Sequence, residues 1–544
     1  DGAEAYVAKN TFTSGEEESA TWEKGATLQK TLYLWRRPPG AAHDYSAPAR
    51  FLWGRAYRRE AAPAETSLWQ QIGERISWFN ARLYNPSVGG GQYESPEGSG
   101  TAMLGFVEQS LCMASVTLSY ILLARTRPAV SIPVDELDKW EGHAAGALTR
   151  WATQGRSDEG LLYPVCGPAG YSFGYRDYGD YENLSIVTEE GFDTIRLATE
   201  ARGLISAAVS ARLLGSFGED VPRAWEEAAL STADWLVSHP LPGGGYSARY
   251  SRAGVALDDY PGGTGATVSL LCDCVRLMNS QARREGYSYL QEAIAAYEGA
   301  LAKLVRAGRC QIGSYPLFKE GMVGANFVIR STVEAALEAC LGLYERTGNE
   351  QYLMDARKAA NNILSYTFVY PISTFGPHTD AARLGLSTFG ASVVSPENQH
   401  LDPVPTGPGL IAYGLYAGDE VCVQAGIESL RWCLDGRWGI REREGIKQSE
   451  QLLHTRWYYN TFFSQRGDFR RGMPLWGRDD SEHCWPQVIP TLALLGSGQV
   501  MLDWHSGRAA AIDGWRVRDS VKETDGRVSL QLAPITQEGG EPEH

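Results

Sequence analysis

The residues with the greatest capacity for chemistry lie together in Arg456 to Pro486, RWYYNTFFSQRGDFRRGMPLWGRDDSEHCWP. This stretch has neither helical nor strand periodicity, and its Gly and Pro residues interrupt any attempt at one. Aromatic rings stack on the apolar faces of pyranoses, while guanidinium forks and carboxylates orient hydroxyls or carboxylate groups. Long segments without secondary structure in compact domains are usually functional, which favours a sugar-binding loop over a plain surface excursion. Arg456, Trp457, Tyr458, Trp476, Arg478, His483 and Trp485 are its candidate binding residues. Asp480 and Glu482 are its candidate acids, and they stand just before the apolar run VIPTLALLG, which reads as a buried helix. A carboxylate at a helix start also caps the helix or complements its dipole, so the two roles compete.

Three further segments carry similar groups. Residues 157–191 contain YSFGYRDYGDYENLSIVTEEGFDTIR, with Tyr175 and Tyr178 as a stacking wall. Glu190 and Asp193 sit there where the next helix begins, and capping again competes with catalysis. GYSFG spells a nucleophile elbow, but a strand-to-helix context is not expected around it. Residues 240–263 supply Tyr246 and Arg249 as binding candidates. PGGTGAT, which follows them, lacks the preceding strand and the Lys of a phosphate loop and reads as a tight turn into a helix. Residues 367–407 contain SPENQHLDPVPTGPG, where Asn398, Gln399, His400 and Asp402 form the densest polar cluster of the chain. His400 beside Asp402 can orient a base or ligate a metal. With no CxxC, HExxH or second His at suitable spacing, a hydrogen-bonding pocket edge is expected, with no metal and no cofactor.

The elements that must position these groups are mostly helical. Helical periodicity covers about 65–84, 99–126, 135–154, 192–215, 220–238, 264–284, 288–308, 322–346, 350–366, 408–417, 420–435 and 486–497. Short links such as SFGED, RREGY and RTGNE join these segments into pairs, as in αα-hairpins. Long connections alternate with the short ones, which places all the long loops at one end. Segments before the long loops are richer in charge, as outer helices would be, and those after them are small and apolar, as inner ones would be. The fold class expected is mainly α, a closed toroid of six helix pairs with small β-elements at both termini. ATLQKTLYLW (Ala26 to Trp35) alternates like a half-buried strand, and GWRVRDSV with GRVSLQLAP reads as a C-terminal hairpin. The expected organisation is a β-strand region and linker over 1–60, a helical domain over 61–505 and a hairpin with tail over 506–544.

Over residues of about 65–500 this architecture resembles the (α/α)6-barrel carbohydrate-active enzymes, glycoside hydrolases and polysaccharide lyases alike. The resemblance implies that the long loops entering the inner helices form the substrate pocket.

The chain of 544 residues carries a net charge of -15, which argues against nucleic acid or an anionic membrane as partner. No apolar stretch is long enough for a membrane span. Its nine cysteines are odd in number, and most sit in apolar helical runs, which points to reduced core thiols and a cytoplasmic setting. The chain begins at Asp1 without Met, so a removed leader, and with it a secreted or periplasmic setting, stays open. Two chemistries fit the loops. Glycoside hydrolysis needs one protonated and one ionised carboxyl, drawn from Glu190 or Asp193 with Asp480 or Glu482, and Asp402 as a further candidate. Lyase β-elimination needs a carboxylate neutraliser and a base, which Asn398, His400, Arg456 and Tyr458 offer. The more numerous acids favour hydrolysis of an oligo- or polysaccharide, and the arginines suit an acidic sugar. Binding without turnover is the third possibility.

Overall fold

The computed structural model describes residues 50–53, 68–82, 84–86, 92–93, 105–126, 132–163, 165–167, 170–172, 191–257, 260–280, 286–308, 330–367, 390, 392–393, 401–402, 406–434, 442–443, 446–447, 500–512 and 515–534. Helix α1 spans Leu68–Arg82, and five helix pairs follow it. They are α2 (Val107–Thr126) with α3 (Val134–Thr153), α4 (Thr194–Leu214) with α5 (Asp220–Ser238), and α6 (Thr264–Ser280) with α7 (286–306). The last two are α8 (Arg330–Thr347) with α9 (Glu350–Ser365) and α10 (Thr406–Ala417) with α11 (Glu420–Leu434). The expected sixth inner helix at 486–497 and the strand at 26–35 lie outside the described residues.

Packing sorts the pairs into two layers. The first members touch one another in sequence, α2 to α4, α4 to α6, α6 to α8 and α8 to α10, and each also packs on its own partner. This is the double-layered arc of an α/α toroid. Composition follows from position. The outer helix α3 buries Leu137, Trp140, Ala144, Leu148 and Trp151 on one stripe and gives its other face to water, as a 3.6-residue period requires. The inner helix α4 is buried on nearly all sides. Inner helices approach closely enough to demand glycine: a Cβ on Gly265 of α6 would lie 2.8 Å from the carbonyl carbon of Ala335 in α8.

The links behave as their residues dictate. Gly215 ends α4 in the left-handed region (φ 69°), and Gly348 (φ 68°) precedes Asn349, whose side chain accepts from the Gln351 amide and starts α9. One expected boundary moves. The helix expected from residue 99 begins at Val107, because Gly105–Phe106 (β3) instead pairs with Val165–Gly167 (β4). Strand β4 pairs with Gly170–Ser172 (β5), so GYSFG does follow a strand, and Ser172 lies in that hairpin opposite Val165.

Small antiparallel pairs complete the chain: Tyr84–Asn85 (β1) with Gln92–Tyr93 (β2), Gly191–Asp193 (β6) with Arg249–Ser251 (β7), Ser392–Val393 (β8) with Leu401–Asp402 (β9), and Glu442–Arg443 (β10) with Ile446–Lys447 (β11). The C-terminal hairpin appears where alternation placed it, as Trp515–Lys522 (β14) and Val528–Pro534 (β15). Val500–Leu502 (β12) and Ala509–Ala511 (β13) form a second hairpin ahead of it. Arg508 fastens that hairpin to the helices, its Nη1 donating to the carbonyls of Leu415 (2.9 Å) and Tyr416 (3.3 Å) at the end of α10. Cys112, Cys272, Cys274, Cys340 and Cys422 are buried, as core thiols should be. Among the described residues no helix is long and apolar enough to cross a membrane.

Candidate functional site

Long connections precede the described inner helices α4, α6, α8 and α10, and the joint best described is the start of α4. Strands β6 and β7 pair with Phe192 opposite Tyr250 and Asp193 opposite Arg249. Three bonds then sew the 240–263 connection to the two helix starts beside it. The Thr194 amide donates to the Ala248 carbonyl (3.0 Å) and its hydroxyl to that of Ser247 (2.7 Å), while the Tyr246 amide donates to Oγ1 of Thr264 (2.9 Å). Gly263 is required at the crossing, since its Cβ would stand 2.3 Å from the Ser247 carbonyl oxygen. PGGTGAT is therefore the tight turn expected of it. Tyr250 is buried beneath, its hydroxyl donating to the His239 carbonyl (2.7 Å) and its ring edge-on to Trp235.

Asp193 occupies the N-cap of α4, accepting from the Arg196 amide at 3.1 Å. The capping role is thus realised. The residue is only 8% exposed, and burial raises the pKa of its carboxyl, although the Arg196 and Arg249 charges and amides of the first turn pull the other way. The Nε of Arg249 has no hydrogen-bond partner among the described residues. Two more charges lie one and two turns along α4, Arg196 and the fully buried Glu200. Sequence inspection of the loops missed both; their signal is the 193–196–200 spacing, which puts three ionisable groups on one side of the helix.

A second charged group lies deeper on the arc. On α4, Ile195, Thr199 and Arg202 are half-buried and Ser206, Val209 and Leu213 are exposed. Since α4 packs on α2, α5 and α6, this open stripe of an inner helix belongs to the concave side. Nε of Arg202 donates to Oδ2 of Asp273 in α6 (2.8 Å), and its Nη1 donates to Oε2 of Glu338 in α8 (2.5 Å). Helix α6 stands between α4 and α8, so the second bond reaches past a neighbour across the concavity. Burial by itself would lower the Arg202 pKa, but Glu338 and Asp273 together raise it, so the guanidinium is permanently charged. Its side chain nevertheless keeps 34% of its surface open. Arg276 approaches the other oxygen of Asp273 (3.3 Å), and half-buried Glu334 sits one turn nearer the loop end than Glu338.

Of the residues singled out from sequence, the structure brings Asp193 and Arg249 together. It buries Tyr246 in the core at 2% exposure, where the ring packs under the connection. Asp402 has its backbone in β9, four residues ahead of α10. Glu190, His400, Asp480, Glu482, Tyr175, Tyr178, Asn398, Gln399, Arg456, Trp457, Tyr458, Trp476, Arg478, His483 and Trp485 lie outside the described residues. Among the described residues no group of three or more His, Cys, Asp or Glu side chains is placed to hold a metal ion.

No family model matches the sequence, and no curated protein matches it. Among solved structures the chain is similar to a family 76 glycoside hydrolase from a bovine Bacteroides thetaiotaomicron strain, at 12% identity and TM-score 0.47 over 79% of this chain and 78% of that one. It is similar to a sugar epimerase from a ruminal bacterium, at 14% identity and TM-score 0.47 over 79% and 98%. An unsaturated glucuronyl hydrolase from Streptococcus agalactiae is similar at 10% identity and TM-score 0.44 over 79% and 90%. The assignment of this chain to the α/α-toroid class rests on its own helix contacts.

Proposed function

We propose that the chain is a carbohydrate-active enzyme, a glycoside hydrolase that cleaves an oligo- or polysaccharide, with Asp193 as its proton donor. The observation that carries this is the Asp193 carboxyl: buried, raised in pKa and set at the loop end of an inner helix beside Arg249. A carboxyl that burial biases toward its protonated form is what departure of a glycosidic oxygen needs. The second carboxyl, ionised and acting on the opposite face of the sugar, comes from Asp480 or Glu482 of the 436–485 connection. The aromatic residues of that connection supply the stacking surface for the sugar rings.

Incubation with a panel of neutral and uronic-acid glycans tests this, read for new reducing ends and for absorbance near ~235 nm, which reports the double bond left by elimination rather than the proton transfers of hydrolysis. Reducing ends without absorbance are expected, and Asp193→Asn should lower the rate by about 10²–10⁴. Absorbance at that wavelength would replace hydrolysis with elimination and move attention to His400, Arg456 and Tyr458.

A further inference from the structure

We propose that Arg202, Asp273 and Glu338 form the floor of the sugar site and that this floor takes an uncharged, hydroxyl-bearing pyranose rather than a uronic acid. The inference rests on the toroid's concave side being the substrate side. It names residues and a substrate class that the loop-end acids do not.

Four observations support it. The three side chains come from consecutive inner helices, yet none is sealed in the core: Arg202 is 34%, Asp273 19% and Glu338 39% exposed. They lie at one depth, Arg202 eight residues beyond the first of α4, Asp273 nine beyond that of α6 and Glu338 eight beyond that of α8. At 1.5 Å per residue, that is roughly 12 Å below the helix starts, about the reach of two sugar rings from the loop end. Charge decides the class of ligand. Arg202 pairs with Asp273 and Glu338, and Arg276 with Asp273, so two cations meet two carboxylates. The described groups therefore present no surplus cation to a sugar carboxylate. They present instead alternating acceptors and donors: carboxylate oxygens, and an Arg202 Nη2 that makes no hydrogen bond among the described residues. Hydroxyls both donate and accept, so vicinal hydroxyls of a neutral sugar fit such a row, whereas a uronate finds no unmatched cation among these groups.

The floor is tested apart from the chemistry by binding measurements on the full chain carrying Asp193→Asn, so that turnover does not consume the probe. Isothermal titration would compare methyl glycosides of glucose, galactose, mannose and xylose with methyl glucuronide at fixed salt. At least one neutral glycoside is expected to saturate at least tenfold tighter than the glucuronide. Glu338→Gln and, separately, Arg202→Lys should each weaken it at least tenfold, with helical circular dichroism and the melting profile retained. Glu338→Gln is the milder change, and it keeps the test open if Arg202→Lys does not fold. Tighter binding of glucuronide, no saturable neutral ligand, or neutral binding untouched by Glu338→Gln would each overturn the proposal. Neutral binding that responds to Glu338→Gln in a protein whose wild type cleaves no glycan would uphold the floor and reject hydrolysis.

Discussion

Asp193 is asked to do two things, and a pair of substitutions separates them. Its Oδ1 caps α4 through the Arg196 amide, and its raised pKa makes it a proton donor. Asn is as good an N-cap as Asp, while Ala loses about 0.5–2 kcal/mol at such a position. Over 544 residues, an unfolding entropy of about 2.1 cal/mol/K per residue means that ~1 kcal/mol moves the melting temperature by only about 1 °C. Local hydrogen exchange is the sharper assay. Asp193→Ala should speed exchange of the Arg196 amide by about fivefold, the equivalent of ~1 kcal/mol, and Asp193→Asn should leave it near the wild-type rate. Both variants should lose glycan cleavage. There is also a pH signature. An acid whose folded pKa lies above its unfolded value near 3.8 lends stability that is full below that value and is lost as pH rises through the folded pKa. Asp193→Asn removes this slope, so the variant should gain stability relative to wild type across that window and hold the gain above it. Cleavage by Asp193→Asn within about threefold of wild type would refute the proton-donor role, since general acid catalysis contributes about 10²–10⁴. A cap lost equally in Asn and Ala would refute the capping geometry.

Other outcomes follow from single contacts. Gly263→Ala should push the 240–263 connection off α4, because its new Cβ would meet the Ser247 carbonyl at 2.3 Å; limited proteolysis within that connection should accelerate. Arg508→Ala should loosen the β12–β13 hairpin by about 1–2 kcal/mol through two lost bonds to α10, seen as faster amide exchange over 500–512. Tyr297→Phe removes the hydroxyl that donates to buried Asp355 at 3.0 Å and should lower stability by about 1–2 kcal/mol in urea titration. Burial pushes the Cys272 thiol up to about 12, and it raises those of Cys274 and Cys422 as well. Peptide-resolved alkylation at pH 8 should therefore leave these three unmodified until the protein is unfolded.

The helix pairs were legible because their signals are local. Gly348–Asn349 spells a stop and a start in two residues, and α3 wears its buried stripe in its sequence. The β3–β4 pairing that delays α2 to Val107 was not, since it joins Phe106 to Val165 across a connection whose register no local pattern carries. The same division runs through the site. Asp193 stood out as an acid before an apolar helix, and Arg249 as a polar group in a Gly-rich loop. Tyr246 looked equally available but turned inward, because an aromatic ring in an irregular segment gives no indication of which way it faces. Arg202, Asp273 and Glu338 were invisible for another reason. Each is flanked by small or apolar residues in its own helix, and only the packing of the arc brings three helices' charges to one point. Similar depth in successive apolar helices is the signal that would have found them.

The bond from Arg202 to Glu338 passes over α6 to join two helices that each pack against it. Geometrically it is a chord drawn across an arc, and a chord fixes a radius in a way that contacts along the rim cannot. Neighbouring helix pairs can each rotate slightly without breaking their own packing, and such rotations add up around a ring. A rigid guanidinium strut across two intervals limits that sum at one depth. The width available to a bound molecule in this sector would then be held by a single side chain. Shortening that strut by one methylene would tighten the bore, and lengthening it would widen it, while every helix stayed intact.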